Sequence, residues 1–298
     1  MNVVGFDFGF GECKVKMGEK ILRFPSFIAK RVKTYDEEVE NVVSYLGEEY
    51  VLGEEAIYEP AFVEIADIKD LVSYLPIFLL FIKRKLNLKG GEKLVFGLPP
   101  KYKNYKEKVE KIIQDENLTP LVVPQGLGIF YDVLNVYPDL NEAKDVLILD
   151  IGFNTLDYLL LVKKGDVWKK RKSNTFDNLG VKKAVLIFRE LLENEFLKNM
   201  PFQKLNEVFK KGYIKIEGYK IDLEKEKKRA ISSYLEIIKT KLKNEVGDFI
   251  KLIDKVVVAG GGAYLIDKNE IRSDLIVPPE PELSQVRGYE ILGKSIGG

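Results

Sequence analysis

The chain repeats itself, and that constrains its fold more than any other feature. Val3-Val4-Gly5-Phe6-Asp7-Phe8-Gly9-Phe10 aligns without gaps on Val146-Leu147-Ile148-Leu149-Asp150-Ile151-Gly152-Phe153. Each copy is a short apolar run of strand length with an Asp at its end, a Gly two residues later and a Phe after that. Asp7 and Asp150 stand 143 positions apart in 298 residues, nearly half the chain. Repetition on that scale dictates architecture and has to be weighed before any local motif. Two unrelated hairpins can also share Asp and Gly, which are ordinary turn residues. Agreement in strand phase, Asp, Gly and Phe, with a strand-like continuation after each copy, favours two similar halves that each offer one Asp-x-Gly turn to a shared cleft.

The remaining pattern is strand alternating with helix, the α/β class. In the first half, Glu12 to Met17 and Lys20 to Phe24 continue the opening strand as hairpins, and Lys93 to Gly97 and Leu121 to Val123 are further strands. Helices are expected over Ala61 to Lys85, kinked or broken at Pro76, over Asn104 to Glu116 with Asn104 as cap, and from Gly126 through Val133. In the second half, Leu156 to Val162 and Asp166 to Lys170 repeat the strands. Helices are expected over Val181 to Asn199 and Leu223 to Ile253, with a small hairpin at Tyr213 to Ile221 between them. The apolar strand Lys255 to Ala259 then runs into Gly260-Gly261-Gly262, and a last helix begins near Ser284 after an extended stretch around Pro278, Pro279 and Pro281.

Composition narrows the chemistry. Lys plus Arg number 47 against 46 Asp plus Glu, so no basic surplus argues for direct contact with nucleic acid or an anionic membrane. The lone Cys13 permits no intrachain disulfide and no Cys-held metal or iron–sulfur cluster. The absence of His removes every imidazole mechanism and His-ligated metal. Carboxylates, Lys, amides, backbone N–H groups and a hard cation such as Mg²⁺ remain. Asp7 interrupts what would be the apolar part of a secretion signal, and Leu71 to Ile82 is far short of the roughly 20 residues that cross a bilayer, so a cytoplasmic location is expected.

The turn Asp7-Phe8-Gly9-Phe10-Gly11 exposes backbone N–H groups, and its glycines let that backbone approach a phosphate closely. Lys14, on the strand leaving the turn, brings an ammonium to phosphate oxygens. The second turn, Asp150-Ile151-Gly152-Phe153-Asn154-Thr155, grips from the opposite half. Asp7 and Asp150 would then face Mg²⁺ through waters, because that ion dehydrates reluctantly. Taken singly, each Asp is better explained by capping its own turn, but taken together the two are not.

These segments resemble the actin-like ATPases, within the group that also holds Hsp70 chaperones and sugar kinases. Five motifs carry the resemblance in the expected order. Asp7 to Lys14 is similar to the family's first phosphate loop, Gly97-Leu98-Pro99 to its post-strand signature, and Pro124-Gln125-Gly126-Leu127-Gly128 to its first connecting segment. Asp150 to Asp157 is similar to the second phosphate loop and Val257 to Ala263 to the adenosine motif. Ser284-Gln285-Val286-Arg287-Gly288-Tyr289 and Phe176-Asp177-Asn178-Leu179-Gly180 resemble the ParM and archaeal branch.

The resemblance implies a two-lobed actin-like fold, a duplicated ribonuclease H-like unit with the nucleotide cleft between lobes. The first lobe would span 1–144 with a small subdomain at about 31–60, the second 145–283, and a C-terminal helix over 284–298 would return to the first lobe. It further implies ATP or ADP with Mg²⁺ as ligands. Gly9, Phe10, Gly11, Lys14, Gly152, Phe153, Asn154 and Thr155 would contact the phosphates, and Gly260, Gly261 and Gly262 would pass close to the adenosine. Asp7 and Asp150 would organise the cation and its waters, Gln125 would orient the attacking water, and Asp157 could assist it. Phe10 stands where many relatives have Ser or Thr, and Phe153 where a small residue is common. Lys225 and Glu226 are candidates for the purine edge, although a solvated charged face explains them better.

The function so implied is a slow ATPase that polymerises into nucleotide-dependent filaments, for plasmid or DNA segregation or cytoskeletal organisation. Its partners would be copies of itself and an adaptor or DNA-bound protein. A non-polymerising scaffold of the pilus-assembly type is the alternative, and a small-molecule kinase a weaker one, because Gln125 is a water-holder rather than a base.

Overall fold

The computed structural model describes residues 2–32, 39–65, 67–266 and 274–296, so part of the expected small subdomain, 33–38, lies outside the described residues. β1 (Val3–Phe8), β2 (Glu12–Met17) and β3 (Lys20–Pro25) form an antiparallel meander. Every residue of β1 is buried, as its apolar run requires, because β1 lies in the middle of its sheet. β4 (Phe27–Lys30), β5 (Val42–Tyr45), β6 (Glu48–Leu52) and β7 (Ala61–Glu64) build a separate small sheet in the order β5-β6-β4-β7. α1 (Ile68–Leu86), β8 (Lys93–Leu98), α2 (Lys106–Asp115), β9 (Thr119–Pro124) and α3 (Leu127–Val136) follow. The first large sheet is ordered β3-β2-β1-β8-β9, with β8 and β9 joining in parallel.

β10 (Asp145–Ile151), β11 (Thr155–Lys164) and β12 (Val167–Asp177) repeat the meander. α4 (Val181–Leu191), α5 (Glu195–Lys198), α6 (Phe202–Lys211), the hairpin of β13 (Tyr213–Ile216) and β14 (Tyr219–Asp222), and α7 (Glu224–Val246) come next. β15 (Lys255–Ala259), β16 (Leu275–Ile276) and α8 (Ser284–Ser295) close the chain. The second large sheet, β12-β11-β10-β15-β16, has the plan of the first, so β1 and β10 hold the same place in their sheets. The sequence repeat is therefore a structural one.

Each half has its own core. Phe8 meets Phe78 of α1 with ring centroids 4.4 Å apart, while Tyr158, Phe188 and Tyr234 fill the second half. The halves are laced together by two exchanged helices. α3, from the first half, packs Ile129, Phe130 and Val133 against Ile148, Leu159 and Val257 of the second sheet. α8 packs Tyr289 and Leu292 against Val3, Val95 and Val123 of the first. Where α3 and α8 cross, a Cβ on Gly288 would lie 1.6 Å from the carbonyl oxygen of Gly128. Only glycine permits this backbone-to-backbone approach.

Several sequence expectations are corrected. Ala61 to Glu64 is strand, held by antiparallel pairing with β4, and the helix begins only after Asp67, whose carboxylate accepts from the N–H groups of Lys69 and Asp70. α1 runs unbroken through Pro76, since its burial of Leu75, Ile77, Phe78 and Leu79 outweighs the proline penalty of about 3 kcal/mol. Asn104 lies within a 3-10 turn and caps nothing. The helix expected over Val181 to Asn199 is split, because the Asn194 side chain caps a separate turn at Phe196 and Leu197. α7 stops at Val246, before Gly247 at φ 73°, and a 3-10 turn continues to Leu252. β12 extends to Asp177, well past the expected Lys170, because β11 pairs along its whole length.

Candidate functional site

The two repeated strands end side by side at a cavity of about 690 Å³ between the halves. The local reason is the same on both sides. After β1 the chain folds back at once, with the Gly9 N–H donating to the carbonyl of Glu12 at 3.2 Å; after β10 the Gly152 N–H donates to Thr155 at 3.0 Å. A Cβ on Gly9 would lie 2.8 Å from the Glu12 oxygen, and one on Gly11 would lie 2.9 Å from the Cβ of Phe153. The first turn needs its glycines to close, and the two turns touch across the cleft.

Strand register places the charged groups. Asp7 pairs across β1–β2 with Lys14, and Asp150 pairs across β10–β11 with Asp157. Lys14 Nζ stands 3.5 Å from Asp7 Oδ2 and 3.6 Å from Glu12 Oε2. Gln125, on the turn between β9 and α3, donates from Nε2 to Asp7 Oδ1 at 3.4 Å. Burial pushes the Asp7 carboxyl above its ordinary range, and Lys14 pulls it only part of the way back. Burial works against the Lys14 charge, but Asp7, Glu12 and Asp150 outweigh it and hold its pKa above the usual lysine value. Asp150 is pushed up to about 7, by burial first and by Asp7 second. Asp157 reaches about 8 through burial, against the opposing hydroxyls of Thr175 and Thr155, both of which donate to it.

Burial disfavours the charged forms of Asp150 and Asp157, and a cation beside them would offset that cost. Among the described residues, however, no group of three or more His, Cys, Asp or Glu side chains is arranged to hold a metal ion directly. The donors present are oxygens and amides of Asp7, Asp150 and Gln125, which suit a hard cation that keeps its waters and shares an anionic ligand.

Most residues expected from sequence line this cavity: Asp7, Gly9, Phe10, Gly11, Lys14, Gln125, Asp150, Gly152, Phe153, Asn154, Thr155, Asp157, Gly260 and Gly261. Gly260 has φ 79° and would place a Cβ 2.5 Å from Asp150 Oδ1, so a glycine is needed for β15 to end beside that carboxylate. Gly262 does not line the cavity; it is buried, and Ile151 fills the space a Cβ would take. Lys225 and Glu226 are likewise absent from the walls. The far wall comes from α6 and Tyr264 instead, with Gln203, Asn206, Glu207 and Lys210 facing the opening. Their spacing at i, i+3, i+4 and i+7, opposite the buried Leu205, Val208 and Phe209, was the readable signal.

Gln285 is the other residue that sequence reasoning did not assign. Its Oε1 accepts from the N–H groups of Gly126 and Ile129, both at 3.2 Å, while its Nε2 donates to Asp150 Oδ2 at 3.0 Å. Gly126 is the N-cap of α3 and has no side chain to cap it, so α8 supplies the cap from the other end of the chain. One buried amide thus ties the Gln125–Gly126 turn to Asp150.

Two family models match: actin-like proteins, N-terminal domain, over residues 5–128, and archaeal actin homologue MreB-like, C-terminal, over residues 148–270. No curated protein matches the chain by sequence. Among solved structures, a non-polymerisable quadruple mutant of pCBH ParM is similar at 22% identity and TM-score 0.76, with 99% of each chain covered. A ParM from a 15-stranded Clostridium botulinum filament is similar at 21% identity and TM-score 0.76, again covering 99% of each chain. Ta0583, an archaeal actin homologue in complex with ADP, is similar at 16% identity and TM-score 0.76, covering 99% of this chain and 100% of that one. At these identities the structures establish the fold, and the two models between them account for both halves. The chain belongs to the actin-like proteins, alongside the ParM and archaeal actin homologues.

Proposed function

We propose that the chain binds ATP with Mg²⁺ between its two large sheets, hydrolyses it slowly and polymerises into filaments whose contacts depend on the nucleotide. The observation that carries this is the duplicated pair of Asp-x-Gly turns meeting at one cavity, with the Lys14 ammonium beside Asp7. Similar proteins include one solved with ADP and one solved as a filament, which supports both halves of the reading.

In this reading the N–H groups of the Gly9–Gly11 and Gly152–Thr155 turns hold the phosphates, where aligned backbone donors are well suited to anions. Lys14 neutralises phosphate charge. Asp7 and Asp150 hold the cation through its waters; when bound, it supplies charge neutralisation at the transferring phosphate. Gln125 orients the attacking water, its amide already fixed by Asp7. Phosphoryl transfer needs positioning and electrostatics more than a strong base, so a chain without His is equipped for it. Closure of the two halves on nucleotide would favour the contact between copies, as a ligand favours whichever conformation it binds better.

The test is pelleting and light scattering with Mg²⁺ and ATP, with ADP, and without nucleotide, alongside release of inorganic phosphate. Polymer that forms with ATP and decays with hydrolysis is expected. Absence of both polymer and phosphate release at micromolar protein would overturn the reading.

A further inference from the structure

Beneath the Gln125 turn lies a phenol that the proposed chemistry leaves unused. Tyr289 of α8 is fully buried, and its hydroxyl has no hydrogen-bond partner among the described residues. Three glycines from three different elements make its slot. A Cβ on Gly5 of β1 would lie 3.1 Å from the Tyr289 Cβ, and one on Gly128 of α3 would lie 2.8 Å from the ring. One on Gly97 of β8 would lie 1.7 Å from the hydroxyl oxygen, so the phenol sets its polar end against the bare backbone of Gly97.

Gln125 faces the same glycine: a Cβ on Gly97 would stand 3.0 Å from the Gln125 Cγ. The hydroxyl and the glutamine side chain thus meet over one residue, and the missing Cβ leaves the path between them clear. Burial pushes the Tyr289 pKa well above its ordinary value, and Asp7, Asp150 and Asp157 push it further. The hydroxyl therefore stays protonated, within the field of all three cleft carboxylates. A phenylalanine would fill the slot with no polar atom left unpaired, and an unpaired buried hydroxyl is costly. Packing alone gives the oxygen no use.

Gln125, for its part, is only half anchored. Its Nε2 carries two N–H groups, and one reaches Asp7 Oδ1 at 3.4 Å, which is long for a bond of this kind. Holding a water in line requires the amide to be fixed with Oε1 toward the cavity, and a second acceptor for Nε2 achieves that. We infer that the Tyr289 hydroxyl oxygen accepts the second Nε2–H of Gln125 when the halves close on nucleotide, which turns Oε1 to the attacking water. Tyr289 is then a positioning residue, acting through Gln125 and touching neither nucleotide nor cation. This inference rests on the proposed role of Gln125 in ATP hydrolysis and deepens it.

The experiment compares full-length wild type, Tyr289→Phe, Gln125→Ala and the double variant. Single-turnover phosphate release with Mg²⁺ and ATP, affinity for a fluorescent nucleotide, and thermal unfolding without nucleotide are measured on each. Tyr289→Phe should slow release by about tenfold, as expected when one hydrogen bond is lost from the transition state. Its nucleotide affinity should stay within about twofold of the wild type, because no ground-state contact is removed. Its melting point should equal or exceed that of the wild type, since the unpaired hydroxyl is gone. The double variant should be no slower than Gln125→Ala, because the hydroxyl works only through that side chain. Release at the wild-type rate from Tyr289→Phe, a melting point several degrees lower, or a double variant about tenfold slower than Gln125→Ala overturns the inference and leaves the ATPase reading standing. Wild-type release from Gln125→Ala overturns the role of Gln125 and this inference with it, and a wild type that releases no phosphate overturns the ATPase reading as well.

Discussion

Replacing Gln285 with Leu tests whether a side chain near the C-terminus supports the cleft. The substitution keeps side-chain bulk and removes both ends of the amide. Two buried backbone donors, Gly126 N–H and Ile129 N–H, lose their acceptor at 3.2 Å, and Asp150 loses a donor at 3.0 Å. Leaving a buried N–H unpaired costs about 1–3 kcal/mol, and the loss of a helix cap alone about 1 kcal/mol. Relaxation and the apolar burial of Leu offset part of this, so about 2–4 kcal/mol is expected. For a chain longer than 250 residues each kcal/mol moves the melting point by roughly 2 °C, giving a fall of about 4–8 °C. Thermal unfolding followed by circular dichroism measures it, with and without Mg²⁺ and ATP. Gln285→Glu separates the two roles: it keeps the acceptor for α3 but sets a carboxylate against Asp150, so nucleotide affinity should suffer more than the melting point. If Gln285→Leu melts within about 1 °C of the wild type, the argument from unsatisfied buried donors fails.

Two further outcomes follow from the cleft. Lys14→Met should weaken ATP binding by about tenfold to a hundredfold, the worth of one charge-assisted hydrogen bond, in a titration with a fluorescent nucleotide; unchanged affinity would remove Lys14 from the phosphate site. Asp157, raised to about 8 by burial, binds a proton in the folded state that the unfolded chain releases near pH 4. Its contribution to stability is therefore full at low pH and is lost as pH rises from about 4 through 8. Asp157→Asn should flatten the fall of the melting point between pH 5 and pH 8, and parallel curves for variant and wild type would contradict the assignment.

How far the site was legible depends on where its residues get their neighbours. Asp7, Gly9, Gly11 and Lys14 sit within one hairpin, as do Asp150, Gly152, Thr155 and Asp157 in the other, so turn chemistry and strand alternation place them without tertiary information. Gly260 and Gly262 looked equivalent in a run of three glycines. Gly260 turns at φ 79° against Asp150, whereas Gly262 makes room for Ile151, a distinction set by packing alone. The same holds for α6 against Lys225 and Glu226: both are polar helical faces, and which one fronts the cavity depends on how the helices stack.

Secondary structure erred where tertiary contacts compete with local preference. Ala61 to Glu64 became strand only because β4 was there to pair with it, and Pro76 stayed inside a helix because the burial around it outweighed the lost hydrogen bond.

Repeats, strand period and turn residues are local properties of the chain, so the duplication, the α/β pattern and the two Asp-x-Gly turns could be read directly from it. Long-range packing alone set that α3 crosses to the second half, that Gly128 and Gly288 touch, and that Gln285 joins Asp150 to the Gln125 turn across 135 positions and more. Those features depend on contacts between residues far apart in sequence, and a buried amide's partners are fixed only when the surrounding helices pack.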